Sequence, residues 1–283
     1  MRKLRNSLLL AVVVAASLAG QACAGTITQW NFNATVAANN APAPSTGSGT
    51  ASIVGMNGGP SGDILLANAG ATSISQFSTD PVGTTTTGDA WRVRGVTTNG
   101  YSTSNLTSGA EFLASTLGFN NITVSLDVYA TGGAPRYGQF EYTLDGTNFT
   151  ALGSPTDLRL AGTSLTGSTY PEGWQNGLSF SLLSIPGAAN NANFGFKFVT
   201  AFSTSTFTDN NGANHAANTA FQRADEDATK AYDATKGNLR FDMVTFSGTT
   251  IAAPEPSSIV LAGLALLGMG FLHTRRALRN LSR

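Results

Sequence analysis

Isolated carboxylates and one histidine are the side chains of this sequence that could do chemistry. Glu111, Glu141 and Glu172 each stand apart from other charges, and a glycosidase can be built from two carboxyl groups alone. For Glu141, a solvated strand face is the alternative interpretation. His215 is the single histidine between residues 25 and 253, and one histidine without a cysteine cannot build a typical zinc site. We therefore expect His215 to be an ordinary loop residue.

Three residues in a predicted loop suit sugar binding. Aromatic rings stack on sugar faces, carboxylates accept hydroxyl hydrogen bonds, and binding residues favour loops on rigid scaffolds. Tyr170, Glu172 and Trp174 combine these groups within five positions. They are therefore candidate glycan-binding residues, with packing of Trp174 in the core as the alternative.

A cluster of acidic residues near the end of the chain offers hard oxygen ligands of the kind that calcium prefers. The spacing is not that of an EF-hand loop, so a hydrated acidic loop is the alternative to a structural calcium site. No other cofactor is expected. The candidate calcium ligands are Asp225, Glu226, Asp227 and Asp242.

The formal net charge of zero hides an acidic body. Three basic residues lie in the first five positions and four in the last nine, which leaves residues 25–253 with nine Lys/Arg against fifteen Asp/Glu, a net charge of −6. Nucleic-acid binding needs a basic footprint, so we expect no nucleic-acid partner. Abundant Gly, Thr, Ser and Asn suit strands and turns better than long helices.

Alternating apolar residues predict an all-β body of nine or more short strands. We expect residues 208–237 to form a long loop with at most one short helical turn. The final strand carries apolar residues on both faces, as in a strand buried on two sides. No βαβ pattern occurs, so we predict a β-sandwich of jelly-roll or lectin-like type, with an open barrel as the alternative. Predicted strands cover residues 26–32, 51–54, 73–77, 90–96, 121–130, 178–182, 194–202 and 238–246.

A hairpin is predicted around Asp145-Gly146, where the alternating runs 139–144 and 147–152 meet. Asp-Gly is a strong hairpin signal because the turn needs a positive φ. The stretch 140–149 resembles a hairpin of carbohydrate-binding and lectin-like sandwich domains. The closing strand 238–244 is similar to the last strand of such modules, in which an Asp often helps to hold a structural calcium ion.

The first 24 residues have the three parts of a secretory signal peptide. A basic start precedes the apolar run 8–18, and Ala22 and Ala24 form an A-x-A cleavage site before Gly25. Cleavage there removes Cys23, the one cysteine, so we expect neither a disulfide nor a cysteine nucleophile in the mature chain. A lipoprotein is the alternative, but Gly20 stands where a lipobox needs Leu.

The last thirty residues form a three-part terminal motif. An apolar run without charge, 259–272, spans about 21 Å as a helix, short of the roughly 30 Å of a bilayer core. It follows Pro254, Glu255 and Pro256, and it precedes a basic tail that includes Arg275 and Arg276. Together these parts resemble the PEP-CTERM sorting signal. The resemblance implies export, an exosortase-type membrane protease as partner, cleavage near residues 254–256 and delivery to the cell surface or extracellular matrix. A plain membrane anchor is the alternative.

We therefore predict a signal peptide (1–24), a β-sandwich domain (25–250) and a sorting signal (251–283). The expected protein is non-enzymatic and is exported by a Gram-negative bacterium. After transient anchoring in the inner membrane, it binds extracellular polysaccharide at the surface or in the matrix. A secreted glycoside-acting enzyme using two of Glu111, Glu141 and Glu172 is one alternative, and a protein-binding adhesin is the other.

Overall fold

The computed structural model describes residues 24–33, 41–55, 79, 89–94, 105–159, 174–209, 211–224 and 237–251, and 62–66 by their backbone. Residues 1–23 of the predicted signal peptide, the predicted strand 73–77 and the tail from residue 252 lie outside these residues. Within the described ranges the chain forms fourteen strands and no helix, and so none that could span a membrane. In chain order the strands are β1 (Ala24–Trp30), β2 (Thr50–Val54), β3 (Gly62–Leu66), β4 (Asp89–Arg94), β5 (Gly109–Leu113), β6 (Phe119–Ala130), β7 (Tyr137–Thr143), β8 (Phe149–Ala151), β9 (Thr156–Asp157), β10 (Trp174–Ser181), β11 (Gly195–Ala201), β12 (Phe207–Thr208), β13 (Asn214–His215) and β14 (Asn238–Thr250).

The strands form two six-stranded antiparallel sheets and one small hairpin. The β14 sheet has the order β10-β6-β14-β4-β3, with β1 also paired to β14. The β11 sheet has the order β2-β5-β11-β7-β8, with β9 also paired to β7. Strands β12 and β13 pair with each other. The all-β prediction is confirmed, while the jelly-roll or lectin-like interpretation stays a prediction.

Aromatic rings from both sheets fill one core between them. Phe112 of β5 contacts Trp91 of β4 and Phe241 of β14, with ring centroids 5.9 Å and 6.1 Å apart. Phe140 of β7 stacks on Phe180 of β10 at 4.2 Å. Successive side chains of a strand point to opposite faces, so the two sheets pack face to face through alternate residues. The side chains left over on each strand form two outer faces.

A β-bulge in β14 corrects the prediction that this strand is apolar on both faces. Met243 has a φ of +48°, and the side chain of Asp242 accepts a hydrogen bond from the Met243 N–H at 2.7 Å. The extra residue shifts the alternation by one position, so Phe241 before the bulge and Phe246 after it both face the one core. The strand that pairs with β14 changes there as well. It is β4 before the bulge and β1 after it.

The predicted Asp-Gly hairpin is confirmed, with a longer turn than Asp-Gly alone. Strands β7 and β8 pair from Glu141↔Ala151 to Thr143↔Phe149, so five residues, 144–148, connect them. Gly146 has a φ of +80°, which L side chains rarely adopt. The turn therefore needs glycine at this position and places Phe149 at the start of the return strand.

Five strands were missed in the sequence, namely β3, β5 and the two-residue strands β9, β12 and β13. The short runs of β3 and β5 lack a clear alternation of apolar and polar residues, although both strands pair with described neighbours. The long predicted loop 208–237 contains β13 and no helical turn where the structure describes it. Its remainder, residues 210 and 225–236, lies outside the described residues.

Candidate functional site

Three charged side chains form a row across the outer face of the β11 sheet. In β11, Phe196 and Phe198 are fully buried in the core, so Lys197 between them points to the outer face. Its two cross-strand partners are Glu111 on β5 and Glu141 on β7. We call Glu111, Lys197 and Glu141 the charged row.

Lys197 is held from two sides. Its Nζ lies 2.8 Å from Oε2 of Glu141, and the two side chains are only 17% and 8% exposed. The same Nζ lies 4.8 Å from the centroid of the Phe149 ring. A cation over an aromatic face is attracted by the ring quadrupole. The ion pair and the ring therefore fix the ammonium group in one place on the sheet.

Glu111, at the other end of the row, has a different environment. Burial is the larger influence and raises the pKa of Glu111, while the charge of Lys197 lowers that pKa by less. The net effect is a carboxyl group with a pKa above its ordinary value. One carboxyl of the row is thus easier to protonate than usual, and the other forms an ion pair.

The turn between β7 and β8 positions Phe149 beside the row. Oδ1 of Asp145 accepts hydrogen bonds from the N–H groups of Thr147 and Asn148 at 2.8 Å and 2.7 Å. Its Oδ2 accepts a third from Nδ2 of Asn148 at 2.6 Å. The Asn148 side chain and these backbone N–H groups lower the pKa of Asp145 strongly. The ionised carboxylate therefore locks the turn that precedes Phe149.

The charged row could serve as a pair of catalytic carboxyl groups or as a binding surface. For the first, the spacing of the two glutamates matters: neighbouring strands lie about 4.8 Å apart, which places the Cα atoms of Glu111 and Glu141 about 10 Å apart. Inverting glycosidases hold their two carboxyl groups about 6.5–9.5 Å apart. Lys197 stands between the two glutamates, however, and already engages Glu141. Charged groups beside a ring face also suit the binding of a hydroxyl-rich ligand.

His215 is not the ordinary loop residue that we expected. It lies in β13, and its Nε2 is 2.9 Å from Oδ2 of Asp209. The ring of Phe207 stacks on the imidazole with centroids 4.9 Å apart. The hydrogen bond to His215 is the largest influence that lowers the pKa of Asp209. This Asp–His pair closes the small β12–β13 hairpin.

The candidate glycan-binding residues are only partly described. Trp174 is the first residue of β10 rather than part of the loop before it, and 2% of it is exposed. Its ring packs on Tyr129 with centroids 5.7 Å apart, on the outer face of the β14 sheet rather than in the main core. Tyr170 and Glu172 lie outside the described residues, so the proposed grouping of the three stays a prediction.

The candidate calcium ligands are likewise divided. Asp242 is fully buried, and its Oδ1 accepts the Met243 N–H in the bulge of β14. Among the described residues, no three His, Cys, Asp or Glu side chains are grouped so that they could hold a metal ion. Asp225, Glu226 and Asp227 lie outside those residues. The calcium site therefore stays a prediction.

Most residues of the two terminal signals also lie outside the described part of the chain. Ala24 and Gly25 are the first residues of β1, and Gly25 pairs with Gly248 of β14. Cleavage after Ala24 would therefore leave β1 almost whole. Ala22 and the sorting residues Pro254, Glu255, Pro256, Arg275 and Arg276 are not described.

Sequence reasoning found the two glutamates of the row but missed Lys197 and the role of Phe149. The available signal was the position of Lys197, one of three lysines in residues 25–253, in the middle of a run of alternating phenylalanines. A charge at the centre of such a run points away from the core. Its partners depend on strand register, which a single sequence does not reveal.

Comparison with known proteins identifies a sorting motif near the C-terminal end of the chain. Residues 252–276 match the PEP-CTERM protein-sorting motif, which confirms the resemblance stated above. The chain thus carries a signal for export, for membrane anchoring before processing and for recognition by an exosortase-type membrane protein. No curated protein matches the chain.

One solved structure that matches is the K2 cleaved adhesin domain of Lys-gingipain (Kgp). The two chains are 12% identical, and the match covers 81% of this chain and 99% of that one, with a TM-score of 0.34. A likeness at this level carries no argument about fold or function.

Proposed function

We propose that this protein is a non-enzymatic component of the cell surface or extracellular matrix of a Gram-negative bacterium. The signal peptide directs export, and segment 259–272 holds the chain in the inner membrane until an exosortase-type protease cleaves near residues 254–256. The released β-sandwich then binds extracellular polysaccharide. The sorting motif at 252–276 supports the first half of this proposal.

The charged row beside Phe149 is the observation that carries the binding half. Sugars are commonly bound by an aromatic face that stacks on the ring and by charged groups that take hydroxyl hydrogen bonds. Phe149 is partly exposed and fixed by the Asp145 turn. Glu111 lies on the same sheet face within two strands of Glu141. Because Lys197 offsets one of the two glutamates, the row has a low net charge, which suits a weakly charged, hydroxyl-rich polysaccharide.

Binding of purified extracellular polysaccharide from the producing bacterium tests this site. We expect Phe149→Ala to lose a stacking contact of about 1 kcal/mol, a roughly fivefold weaker affinity. Phe207→Ala is the matched control, because Phe207 is also a partly exposed strand aromatic but lies in the β12–β13 hairpin. Equal affinities for the two variants would contradict a binding site at the row.

A glycoside-acting enzyme is the second candidate, and one observation favours it. Burial raises the pKa of Glu111, as a general acid requires, and Glu141 is paired with a cation. Turnover of the same polysaccharide that disappears in both Glu111→Gln and Glu141→Gln would establish the enzyme. Binding that persists in these variants, with no turnover in the wild type, supports the non-enzymatic protein. If the protein neither binds nor cleaves glycans but captures a surface protein, the result would indicate a protein-binding adhesin.

A further inference from the structure

Strand β10 lies at an open edge of the β14 sheet. Among the described strands it pairs with β6 alone. It has eight residues and is the longest of the strands at the ends of the two sheet orders, since β2 and β3 have five residues each and β8 has three. The open edge of a strand presents N–H and C=O groups with which another strand can pair. The question is which strand fits this edge.

The pairing of β10 with β6 shows which backbone groups of β10 point outward. The Leu182 N–H donates to the carbonyl of Ile122 at 2.9 Å, and the register is regular from Leu178 onward. Every second residue of an antiparallel pair exchanges hydrogen bonds with its partner, so the even-numbered residues of this segment bond to β6. The N–H and C=O groups of Ser179 and Ser181 therefore point away from the sheet, and both serines are exposed.

The outer half of this edge lacks the features that usually prevent strand addition. Such edges are commonly protected by charged side chains, proline or a bulge, and residues 174–185 contain no charged residue and no proline. A bulge does lie before Leu178, where the Gly177 N–H donates to Oδ1 of Asp127 at 2.7 Å. The bulge comes before the regular segment, so residues 178–182 remain an open and neutral edge.

A second copy of β10 matches this edge by symmetry. Ser179 and Ser181 each offer one outward N–H and one outward C=O, and they lie on either side of Phe180. A twofold axis at Phe180 places Ser179 opposite Ser181 of the other copy, in an antiparallel pair. Each outward donor then faces an outward acceptor, and no like charges meet. The two copies form four hydrogen bonds across the axis.

The aromatic core also favours this axis. Phe180 stacks on Phe140 at 4.2 Å and lies 6.4 Å from the ring of Phe198, yet it is only partly buried. On the axis, the two copies of Phe180 lie directly opposite each other in a pair without hydrogen bonds, with Cα atoms about 4.5 Å apart. Aromatic pairs in such positions stabilise a sheet. The pairing thus continues the row of core rings from one copy into the next.

We propose that two copies of this protein pair through β10 and join their β14 sheets, of six strands each, into one continuous sheet. Few residues take part, so the association is weak and reversible, as is usual for small interfaces. This inference goes beyond the proposed function and depends on β10 alone. Loss of polysaccharide binding would therefore not affect it.

Disulfide cross-linking of the full chain tests the pairing and its register. Cys23→Ser removes the one cysteine, and Ser179→Cys and Ser181→Cys are then made on separate chains with tags of different mass. Opposite residues of a hydrogen-bonded pair have Cα atoms about 5.5 Å apart, which a disulfide can span. Two copies of the same position are diagonal neighbours, about 7–8 Å apart, which is too far.

After mild oxidation of an equal mixture in detergent, we expect the mixed dimer to exceed each same-position dimer at least about fivefold. Thr208→Cys mixed with Ser179→Cys is the matched control, because Thr208 is also an exposed strand residue but lies in β12. This control mixture should show no such excess. Equal cross-linking in both mixtures would overturn the proposal, because it would indicate random contact. A preference for same-position dimers would overturn the twofold axis at Phe180.

A proline variant tests the same edge without a cross-link. Ser179→Pro removes one outward N–H and leaves the bonds to β6 in place. In sedimentation of the full chain, the wild type and Ser179→Ala should double in mass as concentration rises, and Ser179→Pro should associate at least about tenfold more weakly. A second variant, Ser179→Lys with Ser181→Lys, places like charges opposite each other and should have the same effect. Circular dichroism checks that the variants are folded. A wild type of constant mass, or association that survives in folded variants, would overturn the proposal.

Discussion

The two ends of the β-sandwich are held together by different chemistry. We call the end that holds segments 114–118 and 182–194 the tail-proximal end, since β14 finishes beside it. Hydrogen bonds between neutral groups join these two segments, such as those of Thr116 with Ala188 and Asn191, while the ionised Asp145 closes the neighbouring turn 144–148. The opposite end, which we call the charged end, uses ionisable groups instead. Arg136 there donates two hydrogen bonds to Asp157, and Asp209 pairs with His215.

This difference separates the two ends by their response to pH. Neutral hydrogen bonds do not titrate, and the pKa of Asp145 is lowered so strongly that its carboxylate should stay ionised in mild acid. The tail-proximal end should therefore keep its structure over a wider pH range than the charged end.

The largest expected effect comes from the core that both ends share. Phe112 contacts the rings of Trp30, Trp91, Phe196 and Phe241. Phe112→Ala should destabilise the body by about 3–5 kcal/mol, because it removes a large buried ring and leaves a cavity. Denaturant unfolding combined with amide exchange would measure this loss. Both ends should lose protection together, and persistence of either end alone would show that they are independent units.

A pair of threonine variants sharpens the comparison between the ends. Thr116 is fully buried, and Thr116→Val removes a hydroxyl that both donates to Ala188 and accepts from Asn191. We expect a loss of about 1–3 kcal/mol in the free energy of unfolding. Thr208→Val is the control, since Thr208 is exposed and bonds one side chain, Asn214. Its effect should stay within about 0.5 kcal/mol, and equal effects would contradict the contrast.

Acid should loosen the charged end first. Burial, the largest single influence, raises the pKa of Asp157, but the hydrogen bonds and charges of Arg136 and Arg159 outweigh it and lower the pKa below the ordinary 3.8. The His215 hydrogen bond lowers the pKa of Asp209 in the same direction. A lowered carboxyl pKa contributes stability that is present above the ordinary value and is lost as the pH falls through the lowered one.

Amide exchange between pH 6 and pH 2.5 would test this order. Amides of residues 202–209 should lose protection before those of residues 114–118. Asp157→Asn should remove part of the pH dependence at the charged end and leave the tail-proximal end unchanged. Simultaneous loss of protection in the wild type would show that no such difference exists.

The smallest expected effect concerns the charged row between the ends. The charge of Lys197 opposes the effect of burial on Glu111, so Lys197→Met should raise the pKa of Glu111 further. A raised carboxyl pKa adds stability that is complete below the unfolded pKa and is lost as the pH rises through the folded one. Glu111→Gln should therefore flatten the stability profile just above pH 4.5. Side-chain NMR titration measures the pKa of Glu111 directly. An unchanged or lowered pKa in Lys197→Met would contradict the claim that Lys197 acts on Glu111 across the row.

Local patterns in the sequence predicted much of the fold. The alternation of apolar residues in β6 and the Asp145-Gly146 signal each act within about ten residues, so both could be read directly. The bulge in β14 could not, because Met243 adopts a positive φ that its residue type does not announce. Strand β5 was missed because Gly109 and Ala110 weaken its pattern.

The candidate site was only partly accessible to sequence reasoning for a related reason. Glu141 and Lys197 meet across 56 positions of chain, through the pairing of β7 with β11. Register of this kind depends on the packing of whole sheets. Glu111 and Glu141 could therefore be selected as isolated carboxylates, but the lysine between them could not be placed.

The intact mass and location of the protein in its native host, with and without the sorting protease, test the central claim most directly. We expect a released species that begins at Gly25 and ends near Pro254, and a longer, membrane-bound species in the strain without the protease. A product that keeps residues 259–283 in both strains would mean a plain membrane anchor. The proposed role in the matrix would then lose its main support.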